Sequence, residues 1–222
     1  MKRIVLAALL MALSLALATS DARTEIPQPS PIPTAWELEF EHQAPKAIQV
    51  TLPGEKTPKT FWYLVYTVNN QTDSDQLFVP DIVLFTETGQ TLRAGYGVPA
   101  QVFTEIKKVQ NDPLLRDVGS IAGRLLQGED NAKRGVAIWP DYDAAAGAFD
   151  IFISGLSGET EEIQLPSPVE VMEIDAAGQK KAVEKTKMIL NKTLHLNYQV
   201  TGEAASRPTA KPVLKVKEWV MR

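Results

Sequence analysis

The sequence predicts a mainly β fold, an antiparallel β-sandwich with a short helical insertion. Many short segments rich in β-branched and aromatic residues are separated by turn-forming residues. Only one segment shows a clear helical period, and strands do not alternate with helices along the chain. Antiparallel sheets that bury one face each against the other satisfy this pattern with short connections.

The first 22 residues are predicted to be a signal peptide. Lys2 and Arg3 precede an apolar run over residues 4–17, which is shorter than the ~20 residues that span a bilayer comfortably. Small residues then offer cleavage sites after Ala18 and Ala22. We therefore expect an exported protein, periplasmic or extracellular, with no integral membrane span after cleavage. A buried or membrane-anchoring helix is the alternative.

Composition excludes several classes of function. The chain of 222 residues has a net charge of −4 and no cysteine. The absence of cysteine rules out disulfides, thiol nucleophiles and thiolate metal sites. A mildly acidic chain lacks the electrostatic footprint of a nucleic-acid-binding protein. About 200 residues remain after cleavage, enough for one large or two small domains.

A proline-rich linker is predicted over residues 23–34. The stretch EIPQPSPIP holds four prolines, which favour an extended and poorly helical backbone. We expect a plain spacer between the cleavage site and the first strand.

Strand patterns then begin. Residues 35–40 alternate apolar with acidic side chains, and residues 61–69 form an almost wholly apolar run typical of a central strand. Residues 77–87 predict another strand, in which Pro80 indicates a bulge or a sheet edge. A tight turn follows at residues 88–90, and residues 91–93 predict the returning strand.

The helical insertion is predicted over residues 99–110, near the start of a less regular stretch that reaches residue 118. Pro99 suits the first turn of a helix, and Asn111, Asp112 and Pro113 are predicted to end it. One apolar stripe contains Val102, Phe103, Ile106 and Val109.

Further strands follow the insertion. They are predicted at residues 120–127, 135–139, 148–154, 169–174, 187–200 and 213–221. A hairpin turn at residues 176–179 separates the fourth and fifth of them. Residues 35–160 are expected to form the sandwich, and residues 161–222 either complete it or form a small β appendage.

Two stretches resemble a known family. FWYLVYTVNNQTDSDQLFVPDIVLFTETGQTL places an Asn-Asn…Asp turn between two strands, and LLQGEDNAKRGVAIW places a Gly-Glu…Gly turn between two more. This pattern is similar to immunoglobulin-like domains of unknown function in secreted proteins of Gram-negative-type bacteria. The likeness covers about residues 61–155, and the helical insertion departs from it. It implies an immunoglobulin-like sandwich and brings no catalytic residues.

The charged stretch GEDNAKRG at residues 128–135 is interpreted as a turn between two core strands. Gly128 and Gly135 are predicted to supply the backbone conformations that a turn requires. The charged side chains between them, Glu129, Asp130, Lys133 and Arg134, are predicted to stay in water.

Candidate catalytic or metal-binding residues are few, and we assign none. Only His42 and His195 occur, and neither G-x-S-x-G nor H-E-x-x-H is present. His195 alternates with Leu194 and Leu196, so its side chain is predicted to point away from the face that carries those leucines.

Two groups of acidic residues are candidate calcium ligands. Asn69, Gln71, Asp73 and Asp75 alternate, but the glycine and glutamate of an EF-hand loop are missing, so a solvated turn is predicted. A second acidic group, Asp141, Asp143 and Asp150, is interpreted as part of a loop. No cofactor is predicted.

The sequence therefore predicts an exported, non-enzymatic protein with an interaction or structural role and an unknown protein or envelope partner. The alternative is a carbohydrate- or cell-wall-binding module, possibly hydrolytic, with Trp139 and Trp219 as the tryptophans to test. A third hypothesis is an accessory subunit that pairs through an exposed edge strand, for which the strand around Pro80 is a candidate.

Overall fold

The computed structural model describes residues 27–174, 178–200, 209 and 211–222. The predicted signal peptide, the start of the hairpin turn after residue 174 and most of the loop after residue 200 lie outside the described residues. The fold is mainly β, with 53% of the described residues in strands and 10% in helices.

The elements follow one another in an order close to the predicted one. The strands are β1 (Glu39–His42), β2 (Lys46–Val50), β3 (Lys59–Asn69), β4 (Gln76–Phe78), β5 (Asp81–Thr86), β6 (Thr91–Arg93), β7 (Arg116–Asp117), β8 (Gly123–Leu125), β9 (Lys133–Pro140), β10 (Ala148–Ser154), β11 (Thr160–Ile174), β12 (Lys180–Gln199) and β13 (Val213–Met221). The helices are α1 (Ala100–Gln110) and α2 (Val118–Ile121), and a 3₁₀ turn covers Glu129–Asn131.

Two larger sheets share one hydrophobic core. In the first sheet, β1 and β2 both pair with β3, β9 pairs antiparallel with β3, and β7 joins β9 in parallel. In the second sheet, β12 pairs with β10, β11 and β13, and β5 lies between β10 and β6. The core between the sheets includes Trp62, Leu64 and Trp139 from the first sheet and Leu84, Ile151 and Leu196 from the second. The short pair β4–β8 forms a third sheet.

Helix α1 covers the other face of the first sheet. Val102 and Ile106 are fully buried there with Tyr63 and Val65 of β3, which is why β3 is apolar on both faces. The predicted stripe is therefore confirmed for Val102 and Ile106. It is wrong for Val109, which is 65% exposed near the C-terminal end of the helix.

The strand predicted across Pro80 is interrupted there. β4 ends at Phe78 and β5 begins at Asp81, because Pro80 cannot donate a ladder hydrogen bond and Gly155 approaches the Val79 carbonyl. A Cβ on Gly155 would lie 2.4 Å from that oxygen. The predicted sheet edge is therefore confirmed for β4, which pairs among the described strands only with β8, and is wrong for β5, which lies between β10 and β6.

The two glycines of GEDNAKRG serve different purposes. Gly128 has φ of 92°, so the predicted need for a turn glycine is confirmed there. Gly135 instead lies within β9, where a Cβ would stand 2.4 Å from the ring of Tyr66. Not all of the charges stay in water either, because Lys133 donates to the Arg124 carbonyl at 2.8 Å and Arg134 pairs with Asp112 at 2.9 Å.

Candidate functional site

A two-stranded ribbon is the most exposed paired element among the described residues. It consists of β11 and residues 180–190 of β12, which pair antiparallel from Thr160 opposite Asn191 to Ile174 opposite Lys180. The register shifts once, between Gln164 and Val169 of β11, while β12 continues as one strand. Of the described strands, only β11 pairs with residues 180–189. At ~3.3 Å per residue this unsupported length of β12 is ~30 Å long. We call this element the ribbon.

The ribbon exposes apolar side chains that the core of the protein does not use. They are Val169, Met172, Ile174, Met188 and Ile189, which are between 45% and 70% exposed. Single exposed apolar residues are ordinary. Several of them on one narrow ribbon, in which each strand has an unpaired edge, indicate an interaction surface.

Charge divides cleanly between the two ribbon strands. β11 carries four glutamates and no lysine or arginine. Residues 180–190 of β12 carry four lysines and one glutamate, a net charge of 4 − 1 = +3. Two cross-strand ion pairs, Lys185–Glu173 at 2.6 Å and Lys187–Glu162 at 2.5 Å, join the strands, but all four side chains are about half exposed. Such pairs contribute ~0–1 kcal/mol each.

A buried lysine anchors the base of the ribbon. Lys192 follows the ribbon on β12, and its side chain is 3% exposed. Its Nζ atom lies 3.0 Å from a carboxylate oxygen of Glu37 and 3.0 Å from one of Glu159, and 5.3 Å from the ring centroid of Trp219. We call these four residues the root cluster. It ties together β12, β13, the residues before β11 and the N-terminal segment.

The N-terminal segment takes part through Ser30. The Ser30 amide donates to Glu159 Oε1 at 2.7 Å, and its carbonyl accepts from Lys192 Nζ at 3.4 Å. The proline-rich stretch predicted as a plain spacer is therefore held against the body from this point.

Ionisation in the root cluster follows from these contacts. The Ser30 amide, followed by the Lys192 ammonium, holds the pKa of Glu159 below its ordinary value despite partial burial. Burial alone would lower the pKa of Lys192, but hydrogen bonds and charge attraction from Glu159 and Glu37 outweigh it and raise that pKa. Lys192 therefore carries a proton at neutral pH and has no lone pair to act as a nucleophile.

His195 lies on the outer face of the second sheet, in a row of side chains that crosses the three strands β10, β12 and β13. Its Nε2 is 2.8 Å from Asp150 and its Nδ1 is 3.1 Å from Glu218, and its ring stacks on Phe152 with centroids 4.8 Å apart. The guanidinium of Arg222 lies 4.1 Å from the Phe152 ring centroid.

This row does not form a catalytic triad. Both ring nitrogens of His195 already bind carboxylates, so neither is available to take a proton from a nucleophile. The nearby Ser154 hydroxyl donates to the Asp81 carbonyl at 3.2 Å instead. The predicted orientation of His195, opposite the buried Leu194 and Leu196, is confirmed.

The loop that contains the candidate calcium ligands Asn69 to Asp75 is organised by hydrogen bonds. Asn70 is fully buried, and its side chain donates to the carbonyls of Ser74 and Leu125 and accepts from Thr72. Asp75 pairs with Arg124 at 2.6 Å. Within the described residues, no three histidine or acidic side chains are grouped so that they could hold a metal ion.

The other acidic group is also dispersed. Asp141 accepts from the Trp62 indole at 2.9 Å, whereas Asp150 belongs to the His195 row on the outer face. Asp143 accepts from the Ala145 amide within its own loop. Asp150 therefore lies in β10 and not in the predicted loop, whereas the other two follow β9.

The two tryptophans named for sugar binding differ in position. Trp139 is fully buried between the sheets, so it cannot stack on a sugar. Trp219 is only partly buried, packs against the core and lies beneath Lys192. The structure thus removes Trp139 from the carbohydrate hypothesis.

Comparison with protein-family models, with curated proteins and with solved structures found no match to this chain. The immunoglobulin-like resemblance therefore stays a prediction. No helix in the described part of the chain is long and apolar enough to cross a membrane.

Proposed function

We propose that this chain is an exported, non-enzymatic immunoglobulin-like β-sandwich protein that docks a partner protein of the periplasm or cell envelope through the ribbon. The observation that carries the proposal is the ~30 Å length of β12 that pairs with β11 alone and exposes apolar side chains. A ribbon without other support contributes little to folding, so its length is better explained by a role in contact.

The root cluster supports this role. A docking element transmits binding to the rest of the protein only if its base is rigid. Lys192 fixes that base by joining two carboxylates from separate parts of the chain, Glu37 and Glu159. Below the cluster, β12 continues into the shared core through Leu194 and Leu196.

Shortening the ribbon tests the proposal directly. Gln164 and Lys187 lie opposite each other, so an Asn-Gly turn can join them in place of residues 165–186. The deletion removes four acidic residues and three lysines and leaves the net charge almost unchanged. The core and the root cluster stay intact, so we expect the shortened chain to melt cooperatively.

Tagged full-length and shortened chains would be isolated from their own envelope fraction under identical conditions. We expect a specific partner to co-purify with the full-length chain and to be lost from the shortened one. A double variant of helix α1, Lys107→Ala with Lys108→Ala, is the matched surface control and should retain the partner. Equal recovery with the shortened chain would contradict the proposal, and turnover of glycosides, esters or peptides by the pure chain would contradict its non-enzymatic part.

A further inference from the structure

The backbone of β12 presents one open edge along the ribbon. Asn191 exchanges two backbone hydrogen bonds with Arg222 at the end of β13, at 2.7 and 3.1 Å, whereas the Lys192 amide donates in the opposite direction, to the Glu159 carbonyl. The backbone N–H and C=O groups of successive residues point to opposite sides of a strand. Every second residue before Asn191 therefore directs these groups to the side of β12 that faces β13 at Asn191, where β13 no longer extends. These residues are Ile189, Lys187, Lys185, Val183 and Lys181. No described strand pairs with them on that side, and we call them the open edge.

The open edge has a definite chemistry. Its side chains share one face of the ribbon, and three of the five are lysines while two are apolar. An added strand gains main-chain hydrogen bonds from the edge and side-chain selectivity from the residues that lie opposite its own. Acidic residues opposite the lysines and apolar residues opposite Val183 and Ile189 would complement this pattern.

We infer that the open edge takes an extended, acidic segment of the partner protein as an added β-strand. The inference rests on the proposed function and specifies how the ribbon binds. The partner's carboxylates lie opposite Lys181, Lys185 and Lys187, and its backbone satisfies the outward amides and carbonyls. The existing pairs to Glu173 and Glu162 are exposed, so Lys185 and Lys187 can also bind a second carboxylate.

A second copy of this chain fits the open edge less well. A closed dimer with twofold symmetry would place the lysine row of one copy opposite the same row of the other, and like charges directly opposite are destabilising. Symmetric pairing through β11 would likewise oppose its glutamates, and Pro166 and Pro168 interrupt that edge. Charge therefore favours a different chain as the occupant.

A peptide designed from the edge is the probe. The sequence Val-Ile-Glu-Thr-Glu-Thr-Val-Ser-Glu places valine opposite Ile189 and glutamates opposite Lys187, Lys185 and Lys181 in antiparallel register. The matched control replaces each glutamate with lysine. Calorimetry on the full chain should show binding of the acidic peptide and binding about tenfold weaker or absent for the basic one.

Two variants separate backbone pairing from charge. Lys185→Pro removes an amide hydrogen that the alternation along β12 directs away from β11, and proline is tolerated at such positions. It should weaken the acidic peptide about tenfold more than Lys185→Ala does. The triple variant Lys181→Glu, Lys185→Glu, Lys187→Glu should reverse the preference to the basic peptide. Three lysines outside the ribbon, Lys56, Lys107 and Lys108, changed to Glu give the same net charge and should not.

Several results would overturn the inference. One is that the acidic and basic peptides bind with equal affinity, or that neither binds. A second is that Lys185→Pro and Lys185→Ala weaken binding of the acidic peptide equally. A third is that light scattering shows the full chain to form oligomers through the open edge. Binding to vesicles with anionic lipid that the triple variant loses and Lys185→Pro keeps would assign the lysines to a membrane surface instead. Thermal melting of each variant confirms that it is folded.

The inference and the proposed function can fail separately. If the shortened ribbon loses the envelope partner while Lys185→Pro retains it, the ribbon binds through a face and the strand-addition inference is wrong. If the shortened ribbon retains the partner, the proposed function itself is wrong.

Discussion

Replacing Lys192 with methionine should destabilise the fold strongly. Methionine keeps much of the side-chain length but removes the ammonium that lies 3.0 Å from both Glu37 and Glu159. Breaking a buried pair in this way leaves uncompensated charge and costs ~3–5 kcal/mol. Because Glu37 is 26% exposed and keeps some hydration, we expect about 3 kcal/mol, the lower end of that range.

Urea unfolding of the chain measures this loss. Lys187→Met is the matched control, because its ion pair with Glu162 is exposed, and it should cost no more than ~1 kcal/mol. The double variant Lys192→Met with Glu159→Gln should recover part of the loss, since one buried charge disappears with its partner. A cost below ~1 kcal/mol for Lys192→Met would refute the reasoning that the root cluster holds the ribbon base.

The free energy of unfolding should depend on pH through the root cluster, and three substitutions elsewhere should change it through packing. The pKa of Glu159 is lowered when folded, so its contribution is present above its ordinary pKa of 4.5 and is lost as pH falls through the lowered value. The pKa of Lys192 is raised, so its contribution is present below 10.5 and is lost as pH rises through the raised value. The stability difference between wild type and Lys192→Met should thus be flat between these limits in urea titrations. Gly135→Ala should cost more than ~2 kcal/mol by colliding with a buried ring, whereas Gly119→Ala, which meets only ordinary contacts, should stay within ~0.5 kcal/mol in thermal melts. Trp139→Ala should cost ~3–5 kcal/mol in the same assay through the cavity it leaves.

Local sequence patterns predicted the strands that are buried on a regular period. β3 and β10 follow from their own side chains, because a run or alternation of apolar residues has few other ways to be buried. Helix α1 was predicted for the same reason. Val109 is exposed, contrary to the prediction, because no described residue of the sheet covers its side chain near the C-terminal end of the helix.

Long-range contacts account for what the sequence did not predict. β2 has a weak pattern, and its strand state comes from pairing with β3. The root cluster joins Glu37, Glu159 and Lys192, which are too far apart in the chain for any local motif. The sequence did not predict the full length of the ribbon, because charged residues and two prolines interrupt the apolar pattern of β11. The available signal was the opposite charge of the two segments, glutamates in β11 and lysines in β12.

Amide hydrogen exchange detected by NMR tests the central claim most directly. In the free chain, amides of the open edge, such as Val183, Lys185 and Lys187, should exchange fast, while the alternating amides bonded to β11 exchange slowly. Adding the acidic peptide or the isolated partner should slow the open-edge amides selectively. Unchanged exchange along the open edge, with protection arising elsewhere on the protein, would contradict the account.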